Sequence, residues 1–192
     1  MYAEKLESLL LDIENKDIHL AGGSVIGMVL SIINSLIRYT ASLTEGKKNY
    51  EKVQKQIEEV SKKAYILRCE ASEIIDKDIS ILDRILSTYK NRKQNEQKYQ
   101  ECLKDAVEFC INVLDLAVKT FDLTKSIEEI GNKMLESDFK ICRYYSQASI
   151  MASIENIKIN LKDIKDIDYK KKVEIKYNGV LDKYYFYDKG EA

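Results

Sequence analysis

Residues 20–48 read LAGGSVIGMVLSIINSLIRYTASLTEGKK, and this stretch decides the fold of the chain. It opens with the pair Gly22-Gly23 and carries no Asp, Glu, Lys or Arg before Arg38. Apolar residues cover most of a helical circumference, so we expect a helix that is buried on nearly all sides. Its N-terminus would offer free N–H groups to an anion or a polar ligand edge. The plainer alternative is a core helix with Ser24 as an ordinary N-cap.

A run of about 20 apolar residues can also span a bilayer. Here three polar residues interrupt the run, namely Ser31, Asn34 and Ser35, and nothing else in the chain is membrane-like. We therefore favour a core helix from about Ser24 to Leu43 and expect no membrane partner.

Composition indicates one domain spanning residues 1–192, long enough for a sizeable core. Lys plus Arg number 31 and Asp plus Glu number 32, a balance that argues against nucleic acid as a partner. The chain has no proline, which favours long helices. No signal peptide is recognisable, so we expect a cytoplasmic protein with reduced cysteines. Its single histidine and scattered cysteines make a metal site improbable.

Apolar spacing predicts helices along the rest of the chain as well. They cover residues 2–15, about 49–88, about 101–122 with a short continuation to 130, and about 137–157, where Ser137 or Asp138 would be the N-cap. Residues 89–100, YKNRKQNEQKYQ, are too polar for a core and predict an exposed loop or a frayed helix end.

The tail beyond residue 160 allows two interpretations. Its apolar residues fit a helical stripe, which we favour, whereas Asn178-Gly179 is a hairpin turn signal. With either tail the predicted class is all-α, a bundle of about five or six helices.

The order of the short motifs resembles the cyclodeaminase/cyclohydrolase family over about residues 2–165. That family includes the C-terminal domain of formiminotransferase-cyclodeaminase and stand-alone methenyltetrahydrofolate cyclohydrolases. The matching segments, in order, are Ala21-Gly22-Gly23-Ser24, Leu43 to Tyr50, Leu67-Arg68, Ile75-Asp76-Lys77-Asp78, Gly131-Asn132, Ser137-Asp138 and Asn156 to Leu161.

The resemblance implies an all-α subunit that forms a homodimer and binds a reduced folate. The implied reaction either expels ammonia from 5-formiminotetrahydrofolate to close the 5,10-methenyl ring, or opens that ring with water. Neither reaction requires a metal or a redox cofactor. The residues do not distinguish the two reactions.

The resemblance also implies roles for individual residues. Asp138 is the first candidate for an essential carboxylate, and Asp76 or Asp78 is the second. Lys47 and Lys48 are candidates for binding the anionic glutamate tail of folate. The remaining substrate-binding candidates are Gly22, Gly23, Ser24, Ser137, Asn156 and Asn160. Reasoning from the residues alone favours a helix-capping role for the two asparagines as much as a functional one.

Departures from the family pattern motivate an alternative, a catalytically inactive helical dimer that binds a folate or a protein. Leu20-Ala21 stand where the family has proline and glycine, and Cys110 stands where it has proline. Bulky residues replace small ones after Asp138, namely Lys140, Arg143, Tyr144 and Tyr145. For His19 and Arg68 we favour structural roles over catalysis or ligand binding.

Overall fold

The computed structural model describes residues 2–185 as six helices and no strand, which confirms the all-α class. The helices are α1 (Tyr2–Glu14), α2 (Gly22–Ser42), α3 (Gln54–Lys90), α4 (Glu96–Ile130), α5 (Glu136–Leu161) and α6 (Ile167–Tyr184). Two 3-10 turns, Lys48–Val53 and Lys133–Leu135, precede α3 and α5.

Helices α2, α3, α4 and α5 form the bundle, with α2 packed against the other three. Their apolar stripes meet in one core, whose fully buried large side chains include Leu30, Ile33, Ile37, Ile57, Leu114, Phe121, Phe139 and Ile154. Gly27 allows close packing here, because a Cβ at this position would lie 2.9 Å from the Ala71 carbonyl oxygen.

The expectation that α2 is buried on nearly all sides is wrong. Val25, Ile32 and Tyr39 are 37%, 64% and 55% exposed, and their seven-residue spacing defines one uncovered apolar stripe. The stripe is exposed because α3, α4 and α5 cover only the remaining faces. Among residues 2–185, α2 is the one helix long and apolar enough to cross a membrane, but half of its apolar window is buried in the bundle.

The prediction of an exposed loop or a frayed helix end at residues 89–100 is correct in part, because a turn at residues 91–94 lies between two helices that extend into the segment. Helix α3 continues to Lys90, and α4 begins at Glu96 after Asn95, whose side chain accepts a hydrogen bond from the Lys98 N–H group. Tyr99 is buried, with its ring edge-on to that of Tyr89 at 5.8 Å. Segment polarity misses this contact because Tyr99 is buried within an otherwise charged turn, whereas Tyr89 is 44% exposed.

The tail forms helix α6, so the hairpin alternative is wrong and the helical interpretation is confirmed. Asp166 caps the helix by accepting a hydrogen bond from the Tyr169 N–H group. Val173 and Tyr184 are buried, and the Tyr184 ring packs edge-on against Phe121 at 5.3 Å. Burial of this stripe outweighs the local turn signal at residues 178–179, which lie inside the helix.

Candidate functional site

A cavity of about 270 Å³ lies where the N-terminus of α2 meets α3, α4 and α5. Several residues singled out from the sequence line it: Gly22, Gly23, Asp78, Asn156 and Asn160. They come from three separate helices, so the fold brings together groups that are as much as 138 residues apart in the sequence.

Asp78 occupies the N-terminus of α2. Its Oδ2 atom accepts hydrogen bonds from the Ser24 N–H group at 2.8 Å and from the Ser24 hydroxyl at 3.0 Å. The same hydroxyl lies 3.0 Å from the Ile75 carbonyl oxygen. Ser24 is therefore not the N-cap residue, since the helix begins at Gly22. The positive end of α2, expected to attract a ligand, instead holds a carboxylate of the chain itself.

Gly23 makes this arrangement possible. A Cβ at position 23 would overlap the carboxylate of Asp78. A Cβ at Gly22 would meet only the side-chain amide of Asn156, with Oδ1 at 3.4 Å and Nδ2 at 3.9 Å, which is ordinary van der Waals contact. The second glycine of the pair therefore sets the position of the carboxylate, and the first lies beside an amide.

Asn156 and Asn160 are one helical turn apart on α5 and line the same cavity, as their spacing predicted. The Asn160 amide donates to the Asn156 carbonyl oxygen at 2.8 Å and lies 3.5 Å from the Cys110 sulfur. No hydrogen bond within residues 2–185 engages the side-chain amide of Asn156, which leaves it available to a ligand.

Cys110 forms part of the α4 wall of the cavity. Burial, together with the negative charge of Asp78, raises the pKa of its thiol to about 12. The thiol is therefore protonated at neutral pH and is a poor nucleophile.

The other walls of the cavity are formed by apolar side chains. They are Ile81, Leu82, Ile85, Phe109 and Ile159. The α3 members continue the apolar stripe of that helix past Asp78, beyond the level at which α2 begins. That extension was the sequence signal that could have predicted the cavity. An apolar stripe that continues beyond the end of the helix packed against it leaves apolar surface uncovered.

Four other predicted residues, two lysines and the Ser-Asp pair, lie at the opposite end of the bundle. Helix α2 has 21 residues and is therefore about 30 Å long. Lys47 and Lys48 follow its C-terminus and are exposed. This end is tied to the start of α5 by a 3.1 Å hydrogen bond from the Asn132 N–H group to the Thr44 hydroxyl. Within one chain these lysines do not share a site with Gly22.

Ser137 and Asp138 also lie at this end, in the first turn of α5. Neither is the N-cap residue, because the helix begins at Glu136 after Leu135, which makes no side-chain cap. Ser137 is exposed and Asp138 is half-buried. The bulky residues that follow them belong to this half of α5 and do not line the Gly22 cavity.

The other candidates lie outside the cavity. Asp76 is exposed, because residues two apart on a helix lie on different faces and Asp78 lies on the face toward α2. The Arg68 guanidinium stacks 5.2 Å from the Tyr65 ring centre. His19 has φ +58° and places Nδ1 2.6 Å from an Asp83 carboxylate oxygen. Within residues 2–185 no group of three His, Cys, Asp or Glu side chains could hold a metal.

An apolar cavity with a carboxylate and two amides at one end suits a flat heterocycle with a polar edge. The fold and this site define a class of helical-bundle, small-molecule-binding proteins. Comparison with known proteins identifies the family. The sequence description of the formiminotransferase-cyclodeaminase family matches residues 5–179, so the chain belongs to that family.

Individual relatives are more distant. Methenyltetrahydrofolate cyclohydrolase of Methylorubrum extorquens is 24% identical over 152 residues, 76% of this chain and 73% of that protein. Formimidoyltransferase-cyclodeaminase of Rattus norvegicus is 19% identical over 167 residues, 83% of this chain and 31% of that longer protein. The crystal structure of formiminotetrahydrofolate cyclodeaminase from Thermotoga maritima has a TM-score of 0.83 at 24% identity, covering 88% of this chain and 85% of that one. This structural match supports the fold.

Proposed function

We propose that this protein is a folate one-carbon enzyme, either a formiminotetrahydrofolate cyclodeaminase or a 5,10-methenyltetrahydrofolate cyclohydrolase. The observation that carries the proposal is the meeting of Gly23, Asp78 and Asn156 in one cavity. Family membership and the names of the relatives support the same substrate class.

The chemistry requires groups that this cavity holds. Cyclodeamination needs a proton for the departing ammonia and a base for the attacking nitrogen, and cyclohydrolysis needs an activated water. Asp78 is the carboxylate nearest the α2 N-terminus, and it either pairs with an N–H group of the pterin or transfers the proton. The Asn156 amide pairs with the polar edge of the ring, because a buried donor left unpaired costs about 1–3 kcal/mol.

The apolar walls bind the rest of the heterocycle and limit access of water. In this proposal neither a metal nor a redox cofactor takes part, since both reactions need only proton transfer and attack by nitrogen or water. The reduced folate is the partner, and the cytoplasm is the proposed location.

We also propose that the protein acts as a homodimer. The stripe of Val25, Ile32 and Tyr39 has the seven-residue spacing of a helix–helix seam. Helix α1 adds a second uncovered apolar face, because none of its residues is buried and Leu6 and Leu10 are 54% and 43% exposed. A second copy related by twofold symmetry would cover the same surfaces on both chains.

A dimer also gives Asp138 and Lys47 a route to the site. If the two α2 helices cross in opposite directions, the C-terminal end of one approaches the N-terminal end of the other. Asp138 of one copy would then supply the second carboxylate beside Asp78 of its partner. Ser137, Lys47 and Lys48 would lie around the same opening.

The first test follows the methenyl chromophore of 5,10-methenyltetrahydrofolate with the wild type, Asp78→Asn and Asp138→Asn. Asp76→Asn is the matched control, because Asp76 is exposed two residues away and does not line the cavity. We expect both test variants to lose at least about 100-fold in rate, the usual value of one acid–base group, and the control to retain activity. Full activity of Asp78→Asn would refute the assignment of the site.

If the wild type leaves the chromophore unchanged, the same variants are compared for ammonia release from 5-formiminotetrahydrofolate. Mixing Asp78→Asn with Asp138→Asn chains tests the shared site. A mixed dimer would hold one intact site and recover part of the activity. No recovery, in dimers shown by mass spectrometry to be mixed, would refute the contribution of the second copy.

The alternative is an inactive dimer that binds a folate or a protein. The replacement of proline and glycine by Leu20-Ala21 at the edge of the cavity favours it. Folate binding without either reaction would establish this alternative. Quenching of the fluorescence of its 13 tyrosines, in a chain without tryptophan, measures that binding directly.

A further inference from the structure

Lys47 and Lys48 lie about 30 Å from the Gly22 cavity along α2, so within one chain the anionic tail of a folate needs another partner. A second cavity, of about 460 Å³, opens beside the first. Tyr89, Arg92, Lys93 and Tyr99 are among the residues that line it. It therefore combines two tyrosines with cationic side chains, whereas the lining of the first cavity has one aromatic side chain, Phe109, and no cation.

The two cavities follow one another along the same helices. On α3, Leu82 lines the first and Tyr89 the second, and their separation of seven positions corresponds to about 10 Å along the helix. On α4, Ala106 lines the first cavity and Tyr99 the second. At the end of α5, Asn160 lines the first cavity, and residue 163, just after the helix, lines the second. All three helices thus point to one elongated site, with a polar pterin end and an aromatic, cationic end.

Arg92 is held in a position that suits a carboxylate. Its guanidinium carbon lies 3.5 Å from the centre of the Tyr89 ring, and its Nη1 atom donates to the Tyr89 carbonyl oxygen at 2.8 Å. Stacking on an aromatic face fixes the plane of the guanidinium and leaves its other N–H groups directed outward. Such a guanidinium can bind a carboxylate through two hydrogen bonds.

The charges around the second cavity favour an anion. It is lined by three cations and two carboxylates. Glu96 is ion-paired with Lys165, and an Asp163 carboxylate oxygen accepts a hydrogen bond from the Tyr99 hydroxyl at 3.3 Å. Both carboxylates thus have partners within the protein. The positive charges of Arg92 and Lys93 remain to attract an anion at the opening.

We propose that this cavity binds the p-aminobenzoyl-glutamate tail of the reduced folate whose pterin occupies the Gly22 cavity. This inference rests on the proposed function. The benzoyl ring lies against Tyr89 and Tyr99, and the glutamate carboxylates pair with Arg92 and Lys93. The tail thereby contacts α3 and α4 of the chain that binds its pterin, and not Lys47 or Lys48.

The experiment measures the Kd values of two probes by tyrosine fluorescence. They are 5-formyltetrahydrofolate and 5-formyltetrahydropteroate, which lacks the glutamate. The test variants are Arg92→Gln and Lys93→Gln. Lys98→Gln is the matched control, because Lys98 is an exposed lysine of the neighbouring turn that does not line the cavity. Lys47→Gln combined with Lys48→Gln tests the competing tail site.

We expect the wild type and Lys98→Gln to bind the glutamate-bearing probe at least about tenfold more tightly, as one charge-assisted hydrogen-bonded pair allows. Arg92→Gln should remove most of this preference and Lys93→Gln part of it, with little change for the pteroate probe. Rising salt should weaken the preference in the wild type.

The outcomes separate this proposal from the proposed function. If the wild type binds both probes equally, or if the preference persists in Arg92→Gln and Lys93→Gln, the tail site is refuted and the pterin site stands. If the Lys47 and Lys48 substitutions remove the preference, the tail lies at the other end. If the wild type binds neither probe, both proposals fail.

Discussion

Replacing Gly23 with alanine tests the geometry of the site more directly than any other single change. The new Cβ would overlap the Asp78 carboxylate, which must then move away from Ser24. Moving it breaks two hydrogen bonds, of 2.8 and 3.0 Å, to a charged acceptor. At about 1.5–3 kcal/mol each, their loss exceeds the gain of about 1 kcal/mol that alanine normally brings to a helix. We therefore expect a loss of about 2–5 kcal/mol in the free energy of unfolding.

The assay is urea denaturation followed by circular dichroism, with Gly22→Ala as the matched control. The control substitution has the same chemistry one residue earlier, where the Cβ would meet only the Asn156 amide, at 3.4 Å or more. Its free energy of unfolding should remain within about 1 kcal/mol of the wild type. Combining Gly23→Ala with Asp78→Ala completes a double-mutant cycle. The overlap between the new Cβ and the carboxylate cannot occur when the carboxylate is absent.

Two results would refute this reasoning. One is equal stability of Gly23→Ala and Gly22→Ala. The other is an undiminished loss for Gly23→Ala in the Asp78→Ala background. Either result would mean that Gly23 does not position Asp78, and the proposed site would then lose its central contact.

Three further predictions follow from other parts of the chain. Because burial and the charge of Asp78 raise the pKa of Cys110 to about 12, alkylation of this thiol in the native protein should be slow at pH 8, while denatured protein reacts fully. Ile32→Glu should convert the proposed dimer to a monomer in light scattering, since it places a charge in the centre of the α2 stripe. The hydrogen bond from Lys104, with that from a backbone N–H group, lowers the pKa of Asp166. A carboxyl group whose pKa is lowered by folding stabilises the fold at pH values above its unfolded-state pKa. This stabilisation is lost as the pH falls through the folded-state pKa, so α6 should fray in acid, as measured by hydrogen exchange.

Each of these predictions has its own contradicting outcome. Rapid alkylation of Cys110 in the native protein would contradict its burial. A dimer that persists in Ile32→Glu would place the interface elsewhere. For α6, Asp166→Asn should remove the dependence on acid, and an unchanged pH profile in that variant would assign the effect to other groups.

Much of the fold could be predicted from local patterns in the sequence. Apolar residues at intervals of three and four placed α2 through α5 within a few residues of their bounds, because each of these helices buries one stripe in the core. The same stripe favoured a helical tail over the hairpin signal at Asn178-Gly179. The errors occurred where polarity was judged over a whole segment, as at residues 89–100, although one buried Tyr99 determines the packing there.

The residue types of the site could also be predicted, through the motifs around Gly22, Asp78 and Asn156. The sequence could not predict which of these residues meet in one cavity. Sequence spacing does not give the distance between helices, so the resemblance to the family favours Asp138 over Asp78 as the essential carboxylate and predicts Lys47 for the same site. The tertiary structure separates them, since α2 is about 30 Å long and each group lies at one of its ends.

The sequence by itself determined that this chain is a helical bundle with a glycine-opened central helix, and it supplied the carboxylates and amides of the proposed folate site. Local spacing suffices for that, because each helix depends on the side chains within its own turns. Only the tertiary structure decided that Gly23 fits against Asp78 and that the stripe from Val25 to Tyr39 remains uncovered. Those features depend on how α2, α3 and α5 cross, which is set by packing between residues far apart in the chain.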